Sequence, residues 1–150
     1  MAEGFMNHFA GDRFEAFSAG VNPAPEVHPV AIAVMKETGI DISGNKPKSL
    51  DMYIHEPFDL VITVCDNAKE SCPILPGHTI NAHWGFEDPA KFEGSEEVKR
   101  HFFSTIVMEI EYRIRLFLDL PENAPHHEYH EAVHHIGTLK KGDMPSYAFA

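Results

Sequence analysis

Cys65 and Cys72 are the only two thiols in the chain, seven positions apart. Seven residues of continuous helix would hold their Cα atoms about 10 Å apart, at about 1.5 Å per residue. A disulfide tolerates only about 4.4–6.8 Å. A bond between them therefore requires the intervening segment to unwind or loop out, which makes oxidation a conformational switch. Asp66 and Asn67 are helix-start residues, Ala68-Lys69-Glu70 favour helix, and Pro73 ends the turn. Cys65 is thus expected at the positive end of a helical turn, which favours the thiolate, and Cys72 at the other end without that help. The same spacing also suits two free thiols packed as small apolar side chains.

Histidine supplies a second candidate chemistry. Five histidines crowd into Pro125-His126-His127-Glu128-Tyr129-His130-Glu131-Ala132-Val133-His134-His135. In a helix, His126, His130 and His134 would share one face at i, i+4 spacing, which can hold zinc or nickel. The competing reading is a solvated tail whose charge rises as pH falls through about 6.5. No cysteine and no separated ligand pair completes a closed site, so the expectation is a solvated tail without metal.

The elements that must position these groups alternate between strand and helix. Leu60 to Val64 is a short apolar, β-branched run, the pattern of a strand buried on both faces, and it leads directly to Cys65. A second short strand is expected near His78–Asn81, and a third at Phe14–Ser18. Residues 2–10 form an amphipathic helix stopped by Gly11, and Val30–Thr38, opened by Pro29, form another closed by Gly39. Ser49–His55 suits a single helical turn. Residues 83–89 (HWGFEDP) form a loop whose aromatics anchor it. A long helix over 95–119 is capped by Ser95, carries a stripe from Phe102 to Leu118 and ends at Pro121. Alternation of this kind predicts an α/β fold with a parallel sheet between helices. Residues 1–120 make up the domain and 121–150 a His-rich tail.

With 150 residues, the chain has the length of one domain with its own core. Its net charge of −11 argues against nucleic acid or an anionic membrane surface as partner. A small oxyanion needs only a local positive site and stays open. Every apolar run is short, so neither a signal peptide nor a membrane span is expected, and the expected location is cytoplasmic.

The chain resembles the thioredoxin-coupled arsenate reductases, which share the low-molecular-weight tyrosine phosphatase fold. The resemblance rests on Met1-Ala2-Glu3-Gly4, Phe17-Ser18-Ala19-Gly20, His28-Pro29-Val30-Ala31-Ile32 and Asp59 through Cys65. It continues with Cys72-Pro73-Ile74-Leu75-Pro76 and His83-Trp84-Gly85-Phe86-Glu87-Asp88-Pro89. The last two stretches and the Cys65–Cys72 interval are specific to the reductase branch. The resemblance implies a three-layer fold with a mostly parallel four-stranded sheet. It implies arsenate as substrate, thioredoxin as reductant and no cofactor. Cys65 would attack an arseno-thiol adduct, Cys72 would resolve the resulting disulfide into Cys65–Cys72, and Asp88 would be the general acid. By itself, Asp88 before Pro89 is equally a turn residue.

The family's Cys-x5-Arg anion loop has no counterpart in this sequence, and the strand that precedes that loop is likewise missing from it. The expectation is a misplaced start, with the chain inactive as given. In some members of the family a glutamate, a serine and an aspartate near that loop hold potassium. Glu3 and Ser18 match the first two, but Lys48 stands at the third position, where its ammonium can pair with Glu3 and replace the ion. No potassium dependence is therefore expected. Two other functions compete: a phosphatase-like hydrolase on the same fold, and a non-catalytic thiol switch or arsenical-binding protein.

Overall fold

The computed structural model describes residues 1–64 and 79–145. Helix α1 (Ala2–Ala10) buries Phe5 and Ala10 and holds Glu3 in its first turn. Gly11 follows it with right-handed helical φ and ψ rather than as a left-handed stop. Helix α2 (Pro29–Glu37) begins with proline in its first turn, and the His28 ring accepts a hydrogen bond from the Val30 N–H at 3.2 Å. Gly39 just beyond it has φ +86°, the left-handed conformation that glycine adopts without a Cβ penalty. Leu50–Met52 form one 3-10 turn capped by Ser49.

The sheet is parallel. Strand β1 (Leu60–Thr63) pairs with β2 (Ile80–His83) in the register Leu60 with Ile80 through Thr63 with His83. Among the described residues it has these two strands, where the sequence pattern suggested three. The sequence pattern of Phe14–Ser18 does not become a strand. The Asn7 side chain bonds both the carbonyl and the N–H of Ala16, at 3.1 Å each, so that backbone has a partner outside any ladder. An isolated parallel bridge follows two residues later, between Gly20 and Ser49. Burial of β1 also departs from expectation: all four residues are half-buried and Val64 is 42% exposed. Among the described residues only β2 pairs with β1. The expected helical turn after Cys65 lies outside the described residues, as does His78.

Helix α3 (Glu96–Leu118) is the central support. Ser95 accepts from the Val98 N–H at 3.3 Å, and Glu96 and Glu97 favour the positive end of the dipole. Phe103, Ile106, Val107, Ile110, Ile114 and Phe117 turn into the core, where α1, α2 and the C-terminal helix pack against α3. At 23 residues α3 is the longest helix, and no helix among the described residues is long and apolar enough to cross a membrane.

The C-terminal region corrects the expectation of a solvated tail. His126–Thr138 form helix α4, with Val133 fully buried and Ile136 nearly so. Tyr129, Val133 and Ile136 recur at helical spacing and supply the apolar face that packs α4 against α3 and β2. Contact with β2 is closest at Gly137, where an added Cβ would fall on the His83 carbonyl oxygen and lie 2.8 Å from Trp84 Cδ1. Gly137→Ala is therefore expected to destabilise the protein by about 1–3 kcal/mol through overpacking, despite alanine's better helix propensity. A denaturant titration showing unchanged or raised stability would mean that α4 can slide off β2 freely.

Candidate functional site

Both strands of a parallel pair end on the same side of the sheet, and in such folds the loops leaving those ends build the site. Here the loop after β1 begins with Val64 and continues to Cys65, while the loop after β2 carries Asp88. The two exits are tied together. Trp84 N–H donates to the Thr63 carbonyl at 2.8 Å, and Phe86 N–H donates to the Val64 carbonyl at 3.0 Å. The Thr63 hydroxyl also bonds the His83 ring at 2.8 Å. The residue immediately before Cys65 is thus joined to one two positions before Asp88. Cys65 and Cys72 themselves lie outside the described residues.

Two buried groups fix the 84–88 loop from behind. Trp84 is 3% exposed, and its indole N–H donates to the Val133 carbonyl of α4 at 3.0 Å. Arg113 of α3 is 4% exposed and spans two chain segments. One terminal nitrogen donates to the Gly85 carbonyl at 3.1 Å, and the other to the Leu139 carbonyl at 2.7 Å. Its guanidinium carbon lies 4.4 Å from the centre of the Phe86 ring, in cation–π range. Burial pushes the Arg113 pKa down, and the nearby Glu109 carboxylate draws it partly back. Glu109 itself is pushed up by burial against the pull of Arg113.

Asp88 is an exposed capping residue in this geometry. Its Oδ1 accepts from the Ala90 N–H at 3.0 Å, opening the 3-10 turn Pro89–Lys91, and Lys91 Nζ lies 3.9 Å from Oδ2. This bond fixes the carboxyl orientation and keeps the second oxygen at the surface.

Glu3, Ser18 and Lys48 come together although they are far apart in sequence. Ser18 Oγ donates to Glu3 Oε2, and Lys48 Nζ lies 3.3 Å from the same oxygen. The Gly20–Ser49 bridge brings them into reach: Gly20 N–H donates to the Lys48 carbonyl at 2.9 Å, and Leu50 N–H to the Gly20 carbonyl at 3.0 Å. The Glu3 and Lys48 side chains are 16% and 23% exposed, so their pairing is shielded from most of the solvent. Lys48→Met should leave the Glu3 carboxylate with Ser18 alone and lower stability by about 1–3 kcal/mol. Part of that loss should return in potassium chloride relative to choline chloride. Melting temperatures identical to those of the unaltered protein in both salts would remove any role for the lysine.

Sequence reasoning did not single out Arg113 or α4 as part of this region. A charged residue on the same face as Ile106, Ile110 and Phe117 was the available signal for Arg113. Among the described residues, no group of three or more His, Cys, Asp or Glu is arranged to hold a metal ion.

The chain is similar to known proteins in both sequence and fold. The family described as low molecular weight phosphotyrosine protein phosphatase matches residues 1–128. The chain is 41% identical over 119 residues to an arsenate reductase of Bacillus subtilis (strain 168), covering 79% of this chain and 85% of that one. An arsenate reductase of Bacillus licheniformis is 43% identical over 122 residues, covering 81% and 87%. Among solved structures, an arsenate reductase in its oxidized state superposes with a TM-score of 0.64 at 29% identity, covering 76% of this chain and 82% of the other. The arsenate reductase from Archaeoglobus fulgidus gives 0.56 at 29% identity, covering 76% and 87%.

Proposed function

Because the chain belongs to the low molecular weight phosphotyrosine protein phosphatase family, we propose that it works as that family's reductase members do, converting arsenate to arsenite. The observation that carries the proposal is identity above 40% to proteins named arsenate reductase across more than four-fifths of their length.

The chemistry requires two electrons. Two thiols supply them as they join in a disulfide, with arsenate leaving as arsenite plus water. In the family the sulfur that carries arsenic belongs to the Cys-x5-Arg loop. Cys65 attacks that sulfur and arsenite leaves, then Cys72 attacks Cys65 and expels the loop sulfur as a thiol, so the oxidised end point is Cys65–Cys72. A thioredoxin-type dithiol restores both thiols by exchange, a cycle suited to a reducing cytoplasm. Asp88 delivers the proton to the departing oxygen, from a loop tied by Phe86 to the strand end before Cys65. Glu3, Ser18 and Lys48, which meet at one carboxylate oxygen, are the support of the family's anion site, with the lysine in place of a bound cation. The first nucleophile of the family has no counterpart among these 150 residues, whose only cysteines are the shuttle pair.

The family's phosphatase description favours a second reading, hydrolysis of small phosphoesters. Hydrolysis transfers no electrons and gives Cys65 and Cys72 no task. The test uses protein isolated from its own cell: arsenite release with thioredoxin, thioredoxin reductase and NADPH. Turnover lost in Cys72→Ser supports the reductase. Phosphoester cleavage that is indifferent to Cys72→Ser, without arsenite release, supports the hydrolase and overturns the proposal.

A further inference from the structure

Helix α4 places two imidazoles side by side on its outer surface. His130 and His134 stand four residues apart, about 6 Å along the axis and on one face. Their ring centres are 4.5 Å apart with the planes inclined at 56°. His134 is exposed and His130 half-buried, and among the described residues each ring's one close partner is the other. The sequence argued against a closed metal site here because no cysteine and no separated ligand pair completes one. An open two-ligand site is a different case, and Val133 and Ile136 anchor the helix that carries it in the core.

Coordination geometry can be compared with this separation. Metal–nitrogen bonds of about 2.0–2.1 Å, with two rings at neighbouring positions on one ion, put ring centres roughly 4.5–5 Å apart. The observed 4.5 Å separation of the ring centres falls at the lower end of that range. The backbone is also set in advance, because α4 is gripped by the indole bond to Val133 and by the close approach of Gly137 to β2. Binding therefore has little chain to order.

We infer that His130 and His134 form a two-imidazole chelate for a borderline divalent transition ion such as Ni²⁺, Cu²⁺ or Zn²⁺. Neutral imidazole suits these ions and not Mg²⁺ or Ca²⁺, which take oxygen ligands. No third His, Cys, Asp or Glu joins the pair among the described residues, so the remaining positions on the ion belong to water or to a ligand from solution. The site is thus open and exchangeable rather than a closed structural centre. His126 sits a further turn back from His130, so one ion cannot span all three at about 6 Å per step.

Nickel titration by calorimetry on the full chain tests this. One binding step is expected, weakened on the order of 10-fold or more by His130→Ala and equally by His134→Ala, because either change leaves a single arm. His135→Ala, roughly 100° around the helix from His134 and roughly 140° from His130, should leave the step intact. Nickel should also raise the melting temperature of the unaltered protein and not that of either variant, as for a ligand of the folded state. Circular dichroism on each variant separates loss of the ligand from loss of the helix. No binding at millimolar nickel overturns the inference, as does binding that neither substitution weakens. A loss confined to His130→Ala would give the ion to a different neighbour and overturn the pair.

Discussion

Replacing Trp84 with alanine is expected to lower the free energy of unfolding by about 3–5 kcal/mol, the range for removing a large buried aromatic. The side chain is 3% exposed and meets the Phe117 ring edge-on at 6.1 Å between centres. Its indole also bonds the Val133 carbonyl, so the truncation both empties a cavity and unpairs a buried acceptor. Trp84→Phe separates the two contributions. It keeps most of the ring and loses only the donor, and about 1–2 kcal/mol should go with it. Guanidinium titrations followed by circular dichroism measure both. Equal losses for the two variants would mean that the hydrogen bond outweighs the packing, contrary to the burial.

Arg113→Met should cost about 2–4 kcal/mol although it keeps an unbranched, mostly apolar stem. The change leaves the Gly85 and Leu139 carbonyls without their donors and removes the cation from the Phe86 ring. Relief from burying a charge, the same burial that pushes the Arg113 pKa down, offsets part of the loss. Arg113→Lys should recover less than half of it, because an ammonium lacks the planar fork that reaches two carbonyls at once. Because one of those carbonyls lies three positions before Asp88, amide exchange in the 84–88 loop should quicken in Arg113→Met. Unchanged stability together with unchanged exchange would show that the loop is held by Trp84 alone.

What could be read from the sequence was mostly periodic. The stripe of α3 and the Ser95 cap predicted a helix that the structure places at Glu96–Leu118, and Pro29 and Gly39 bracket α2 as expected. The pairing of Lys48 with Glu3 was implied by the family resemblance together with the lysine's charge, and the 3.3 Å contact is present. Two readings failed for identifiable reasons. Phe14–Ser18 has strand composition, but a strand needs a neighbour, and the Asn7 side chain satisfies that backbone first. In α4 the histidines concealed a stripe of Tyr129, Val133 and Ile136, whose three-to-four spacing was present all along. Arg113 was hidden for the opposite reason. A charge within an apolar face reads as surface until two carbonyls are found waiting for it.

The bond from Trp84 to Val133 joins residues 49 positions apart. At about 5–20 residues per second, synthesis takes roughly 2–10 s to travel that distance. During this interval a large indole is made but has neither its acceptor nor the helix that covers it. The nascent protein therefore displays a sticky aromatic at the loop that carries Asp88, and it is then that a holdase or a protease finds its opportunity. Slower translation between codons 84 and 133 should lower the yield of folded protein even though the finished molecule is unchanged.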